Sequence, residues 1–94
     1  MRTYAAERRE QYRSEVNTSA RVKVLNPLSS AGPASAARVY NRSSVGLRLT
    51  VPRQIFAGAL VQILIPGEVI LGEVRYCSPA GAEFDIGVRI VESL

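Results

Sequence analysis

Apolar residues in this chain recur at every second position, in short runs broken by glycine and proline, and that period favours strands over helices. Phe84, Ile86, Val88 and Ile90 alternate with Asp85, Gly87, Arg89 and Val91. Leu47, Leu49 and Val51 alternate with Arg48 and Thr50, and Val22 and Val24 with Arg21 and Lys23. Residues 58–65 form a more continuous apolar run, which reads as a strand covered on both faces. Pro66-Gly67 turns the chain into a strand from Glu68 to Cys77, and Ser78-Pro79-Ala80-Gly81 turns it toward the Phe84 strand. A shorter strand, Ala36 to Tyr40, precedes a turn at Asn41. Six strands follow, at 18–26, 35–40, 46–52, 58–65, 68–77 and 83–91. The expected class is all-β, a six-stranded antiparallel β-barrel, because closing the sheet leaves no exposed edge in so small a domain.

The barrel is assigned to residues 16–94, behind a flexible N-terminal arm, 1–15, with a helical turn expected at Ala5–Gln11. Residues 26–34 read as a flexible loop. Ninety-four residues are enough for one core and too few for two. No apolar run approaches the roughly 18 residues of a membrane span. The polar start, Met1-Arg2-Thr3-Tyr4, is unlike a secretory signal, and a single cysteine fits a reducing compartment, so the expected location is cytoplasmic.

Charge is unevenly spread. Residues 16–67 carry Arg21, Lys23, Arg38, Arg42, Arg48 and Arg53 with no acid, whereas residues 68–94 carry two arginines against five acids. The basic part implies an anionic partner. Eleven arginines stand against one lysine, which favours forked contacts to phosphate or a guanine edge, although a genome rich in G and C, which inflates arginine, explains the ratio equally well. There is no histidine, so the commonest general base and metal ligand is missing. Cys77 has no histidine to activate it, and the acids Glu68, Glu73, Glu83 and Asp85 show no metal-ligand spacing. An enzyme and a metal site are not expected.

Two patterns carry the functional signal. The first is an arm with the spacing R-x-x-x-R, Arg9 and Arg13. At this arginine content about one such pair arises by chance, and Arg38 with Arg42 forms another. The second is N-x-S-x-x-G, Asn41-Arg42-Ser43-Ser44-Val45-Gly46, of which composition predicts on the order of 0.03 occurrences. A tight turn between strands uses Asn, Ser and Gly for local reasons as well. Their order, with the arm just before the first strand and strands on both sides of the turn, favours a site.

The arm Glu7-Arg8-Arg9-Glu10-Gln11-Tyr12-Arg13 and the Asn41–Gly46 turn resemble the two signatures of the PilZ domain family. Gly46-Leu47-Arg48-Leu49 resembles the strand after the family's turn, Gly72-Glu73-Val74-Arg75-Tyr76 its G-x-V-x-aromatic strand, and Ile86-Gly87-Val88-Arg89-Ile90 its closing strand. The resemblance implies a barrel that binds cyclic di-GMP, a bacterial second messenger, without catalysis. It assigns Arg9 and Arg13 to guanine or phosphate, Asn41 and Ser43 to the guanine edge, and Tyr76 to stacking on a base. Gly46 is expected to turn the backbone with φ > 0 and leave room for the ligand. Arg8, before the arginine pair, implies an intercalated ligand dimer.

The arm is expected to order over the barrel on binding, and a downstream protein to read the change. The chain stops at Leu94, without the helix that many relatives add after the last strand. Two other readings stay open: a small basic barrel that binds RNA or single-stranded DNA, and a protein-interaction adaptor that has lost the ligand. The first needs a row of surface aromatics, and the six available are scattered, so nucleic acid is not the expected partner.

Overall fold

The computed structural model describes residues 14–94. Its strands are β1 (Ser14–Asn26), β2 (Ser35–Arg42), β3 (Gly46–Val51), β4 (Leu60–Ile65), β5 (Glu68–Ala80) and β6 (Glu83–Ser93). They close in the order β1-β2-β3-β6-β5-β4, with every neighbouring pair antiparallel. The all-β, six-stranded barrel read from the alternation is the fold observed. The residues that alternate inward form its interior: Val22 from β1, Val39 from β2, Leu47, Leu49 and Val51 from β3, Val61 and Ile63 from β4, Ile70 and Val74 from β5, Ile86 and Val88 from β6. No side chain in this core is polar or charged, so no buried hydrogen bond has to be found for one. Among the described residues, no helix is long and apolar enough to cross a membrane.

Several element boundaries differ from the expected ones. β1 starts at Ser14 rather than 18, inside the segment assigned to the arm, and a register shift between Glu15 and Thr18 erases its alternation there. β4 starts at Leu60 rather than 58, because Gly58 adopts a φ of 95° in the preceding turn. Nor is β4 covered on both faces: Val61 and Ile63 are buried while Leu64 faces out, paired in register with Arg21. β5 runs on through Pro79 to Ala80, so the turn into β6 is shorter than Ser78–Gly81. Beyond Glu73 no β4 residue lies in register with β5, and an edge tolerates proline. The 26–34 loop contains one 3₁₀ turn, Leu28–Ser30, and Arg21 Nη2 donates to Ala34 O at 3.2 Å.

A clasp draws elements together at one end of the barrel. Arg42, the last residue of β2, donates from Nη1 to Glu68 Oε1 at 2.8 Å and from Nη2 to Oε2 at 2.6 Å. Ser93 Oγ donates to the same Glu68 Oε2 at 3.0 Å. The two hydrogen bonds from Arg42, then that from Ser93, hold the Glu68 carboxyl down at about 2. A carboxylate depressed in the folded state adds stability above its unfolded value and loses it as pH falls toward the folded one. Stability is therefore expected to drop between about pH 4.5 and pH 2. The pair is partly exposed, which limits its contribution to about 1 kcal/mol. Urea unfolding at pH 6 and pH 3 measures the drop, and Glu68→Gln should flatten it.

Candidate functional site

The Asn41 turn is fastened by its own serine. Ser43 Oγ accepts hydrogen bonds from the backbone N–H of Val45 (3.2 Å) and Gly46 (3.1 Å), while Ser43 N donates to Gly46 O (2.9 Å). Both lone pairs of the hydroxyl are thus engaged and its proton remains to be donated outward. Ile90 N donates to Val45 O at 2.8 Å and ties the turn to β6. The positive φ expected at Gly46 is absent; its reason for being glycine is close approach. A Cβ there would lie 2.9 Å from the carbonyl oxygen of Val88, on the neighbouring strand.

From the turn, one cross-strand row runs over the outside of the barrel. Asn41 pairs with Arg48, Arg48 with Gly87, and Gly87 with Tyr76. Two β-bulges shape the row. One falls between Val39 and Asn41 on β2, leaving Tyr40 as the extra residue. The other falls between Val74 and Tyr76 on β5. Val74 is buried, so strict alternation would place Arg75 outside and Tyr76 inside. The bulge leaves both exposed, and bulges often serve to re-aim side chains in this way. The Tyr76 ring then lies across Gly87, where an added Cβ would meet its Cε2 at 2.1 Å.

These elements enclose a concavity of about 280 Å³ lined by Asn41, Ser43, Val45, Gly46, Leu47, Arg48, Arg75, Tyr76, Gly87, Val88 and Arg89. Four residues singled out from sequence, Asn41, Ser43, Gly46 and Tyr76, thus meet in one place. Arg8, Arg9 and Arg13, with the helical turn expected near them, lie outside the described residues.

Sequence reasoning did not single out Arg48, Arg75 and Arg89 as site residues. The outward parity of β3 and β6 was the signal for Arg48 and Arg89, whereas nothing local marks the Arg75 bulge. Arg89 is paired with Glu73, Nη2 to Oε1 at 3.0 Å. Arg48 and Arg75 have no hydrogen bond or ion pair with any residue from Val16 onward.

Outside the pocket lining, Tyr40 donates its hydroxyl proton to Asp85. Burial, then the bond to Asp85, raise the Tyr40 phenol well above the usual tyrosine range, with Arg48 opposing, so it stays a neutral donor. The second arginine pair is already occupied: Arg42 is held by Glu68, and Arg38 Nη1 donates to Asn17 Oδ1. Among the described residues, no three side chains of metal-binding type cluster.

The two glycines make separable predictions. Gly46→Ala presses on backbone, which cannot swing aside, and should cost about 1–3 kcal/mol in urea unfolding. Gly87→Ala presses on an exposed ring that can rotate away. It should leave stability within about 1 kcal/mol while abolishing the ring-current shift at residue 87 in NMR spectra.

No protein-family model matches this chain, and no curated protein sequence matches it.

Proposed function

We propose that this domain is a non-catalytic receptor for cyclic di-GMP of the PilZ kind. One observation carries the reading: residues singled out from sequence in two distant segments, the 41–46 turn by its spacing and Tyr76 by the resemblance, line one concavity. Its chemistry suits a nucleobase joined to phosphate. Asn41 and the Ser43 hydroxyl offer short polar contacts to a guanine edge, the Tyr76 ring offers a face for stacking, and Arg48 and Arg75 supply cations for phosphate. About 280 Å³ is at the small end for a ligand pocket, so the barrel contributes one wall and a base, with the rest of the ligand lying against the arm.

Covalent connection supports the arm's role. Ser14 pairs with Arg42 and Glu15 with Asn41, so the chain leaves the barrel beside the turn. Arg9, five residues before Ser14, is within about 17 Å of it along the chain at full extension. Ligand held between arm and barrel fixes the arm in place, and a downstream protein reads the difference. An oligonucleotide would need several aromatic platforms on one face. From Val16 onward, Tyr76 is the one aromatic lining the pocket: Tyr40 is bound to Asp85, Phe84 packs on the core and Phe56 lines a different concavity.

Calorimetric titration with cyclic di-GMP tests the proposal. The expected result is saturable binding with two ligands per chain. A clean one-to-one stoichiometry would remove the intercalated dimer, and no heat at any concentration would remove the receptor assignment.

A further inference from the structure

We infer that the barrel end opposite the Asn41 turn is a docking groove for an acidic, apolar segment of a partner protein. This end is where β1 and β3 finish and β2 and β4 begin, at Asn26, Val51, Ser35 and Leu60. Two loops flank it, 27–34 and 52–59. Between them lie two concavities of about 550 and 300 Å³, which share Val24, Ser30, Gln54 and Ile55 and so adjoin along one groove-shaped face. Its floor is in part apolar: Val24 and Ile55 pack against the barrel core, while the larger concavity presents polar and apolar surface about equally and the smaller one is mainly apolar. Phe56 lines the groove at 65% exposure, and Leu28, on the facing loop, is 82% exposed. Single exposed apolar residues are ordinary, but two large ones on the loops bordering one partly apolar groove mark a surface that another molecule covers.

Charge selects the occupant. Arg53 lines the groove, and Arg21 and Lys23 stand exposed on the β1 segment leading to it. No acid occurs between residues 16 and 67, so both flanking loops and all four of these strand ends are free of negative charge. The acid nearest in register is Glu83, one step beyond the Phe84–Val51 pair, and it forms no ion pair with Arg53. A partly apolar floor with a cationic rim complements a chain carrying carboxylates beside large apolar side chains. The concavity favours an inserted chain segment over a flat lipid surface. This reading stands whether or not the Asn41 pocket binds a nucleotide.

Selection from a random peptide library displayed on phage, with the whole domain immobilised, tests the inference. Enriched peptides should combine Asp or Glu with Leu, Ile or Phe. Their affinity should fall about tenfold or more on Phe56→Ser and on Arg53→Glu, and stay unchanged on Tyr76→Ala. Circular dichroism and urea unfolding establish that these surface variants fold. The inference fails if no acidic, apolar peptides are enriched, if Phe56→Ser leaves their binding intact, or if Tyr76→Ala removes it. It also fails if the domain instead cosediments with phosphatidylglycerol vesicles through Leu28 and Phe56, or dimerises through them in sedimentation equilibrium.

Discussion

Leu49→Ala is expected to remove about 3–5 kcal/mol of folding stability, a large share of what a domain of this size holds. Leu49 is 0% exposed, and in register it lies between Val39 on β2 and Ile86 on β6, both also buried. Truncation loses the transfer energy of the deleted carbons and leaves a hole. How much of the hole closes decides where in the range the cost falls. In a helical bundle a neighbour can slide inward, but here every wall strand is hydrogen-bonded on both sides in a closed ring. Moving one strand means breaking ladder bonds, so the upper part of the range applies. For a domain below 100 residues, each kcal/mol lowers Tm by about 4–8 °C, giving a fall of roughly 12 °C or more. Urea unfolding should show a lower midpoint with an unchanged slope, since the surface exposed on unfolding is nearly the same. A loss below about 1.5 kcal/mol would mean that the barrel can contract around the gap.

Replacing Arg9 and Arg13 together by alanine is expected to weaken cyclic di-GMP binding by at least a hundredfold. Charge-assisted hydrogen bonds contribute about 1.5–3 kcal/mol each, so losing two removes about 3–6 kcal/mol where each tenfold is about 1.4. Arg38→Ala is the matched control. Arg38 and Arg42 have the same four-residue spacing, yet their guanidinium groups are already committed, to Asn17 and to Glu68. Affinity should stay within about twofold in Arg38→Ala, because its charge is exposed and screened. Calorimetry at fixed ionic strength reads both, and a urea midpoint unchanged in the arm variant assigns the loss to contact rather than unfolding. Equal affinity in the double variant and the native chain would overturn the site.

The sequence made the class of fold legible wherever alternation was clean. In β3 and β6 the inward set Leu47, Leu49, Val51, Ile86 and Val88 is buried as the period requires. Legibility failed where the period itself fails. The register shift after Glu15 hid the first four residues of β1, and an apolar outward residue, Leu64, made β4 look covered on both faces. The turn was legible because its chemistry is local: Ser43 bonds within three residues of itself. The pairs Arg42–Glu68 and Tyr40–Asp85 join residues 26 and 45 positions apart, and only barrel closure brings them together. No local pattern could carry them.

The bulge at Arg75 makes the pocket depend on chain length as much as on residue type. Deleting that one residue would restore strict parity along β5 and leave Tyr76, now directly after inward Val74, still facing outward opposite Gly87, so the loss is the Arg75 cation. Surface loops forgive an indel. Here the strand absorbs one too: the Tyr76 ring keeps its place over Gly87, and the single added codon of the bulge is what sets a further outward cation beside it.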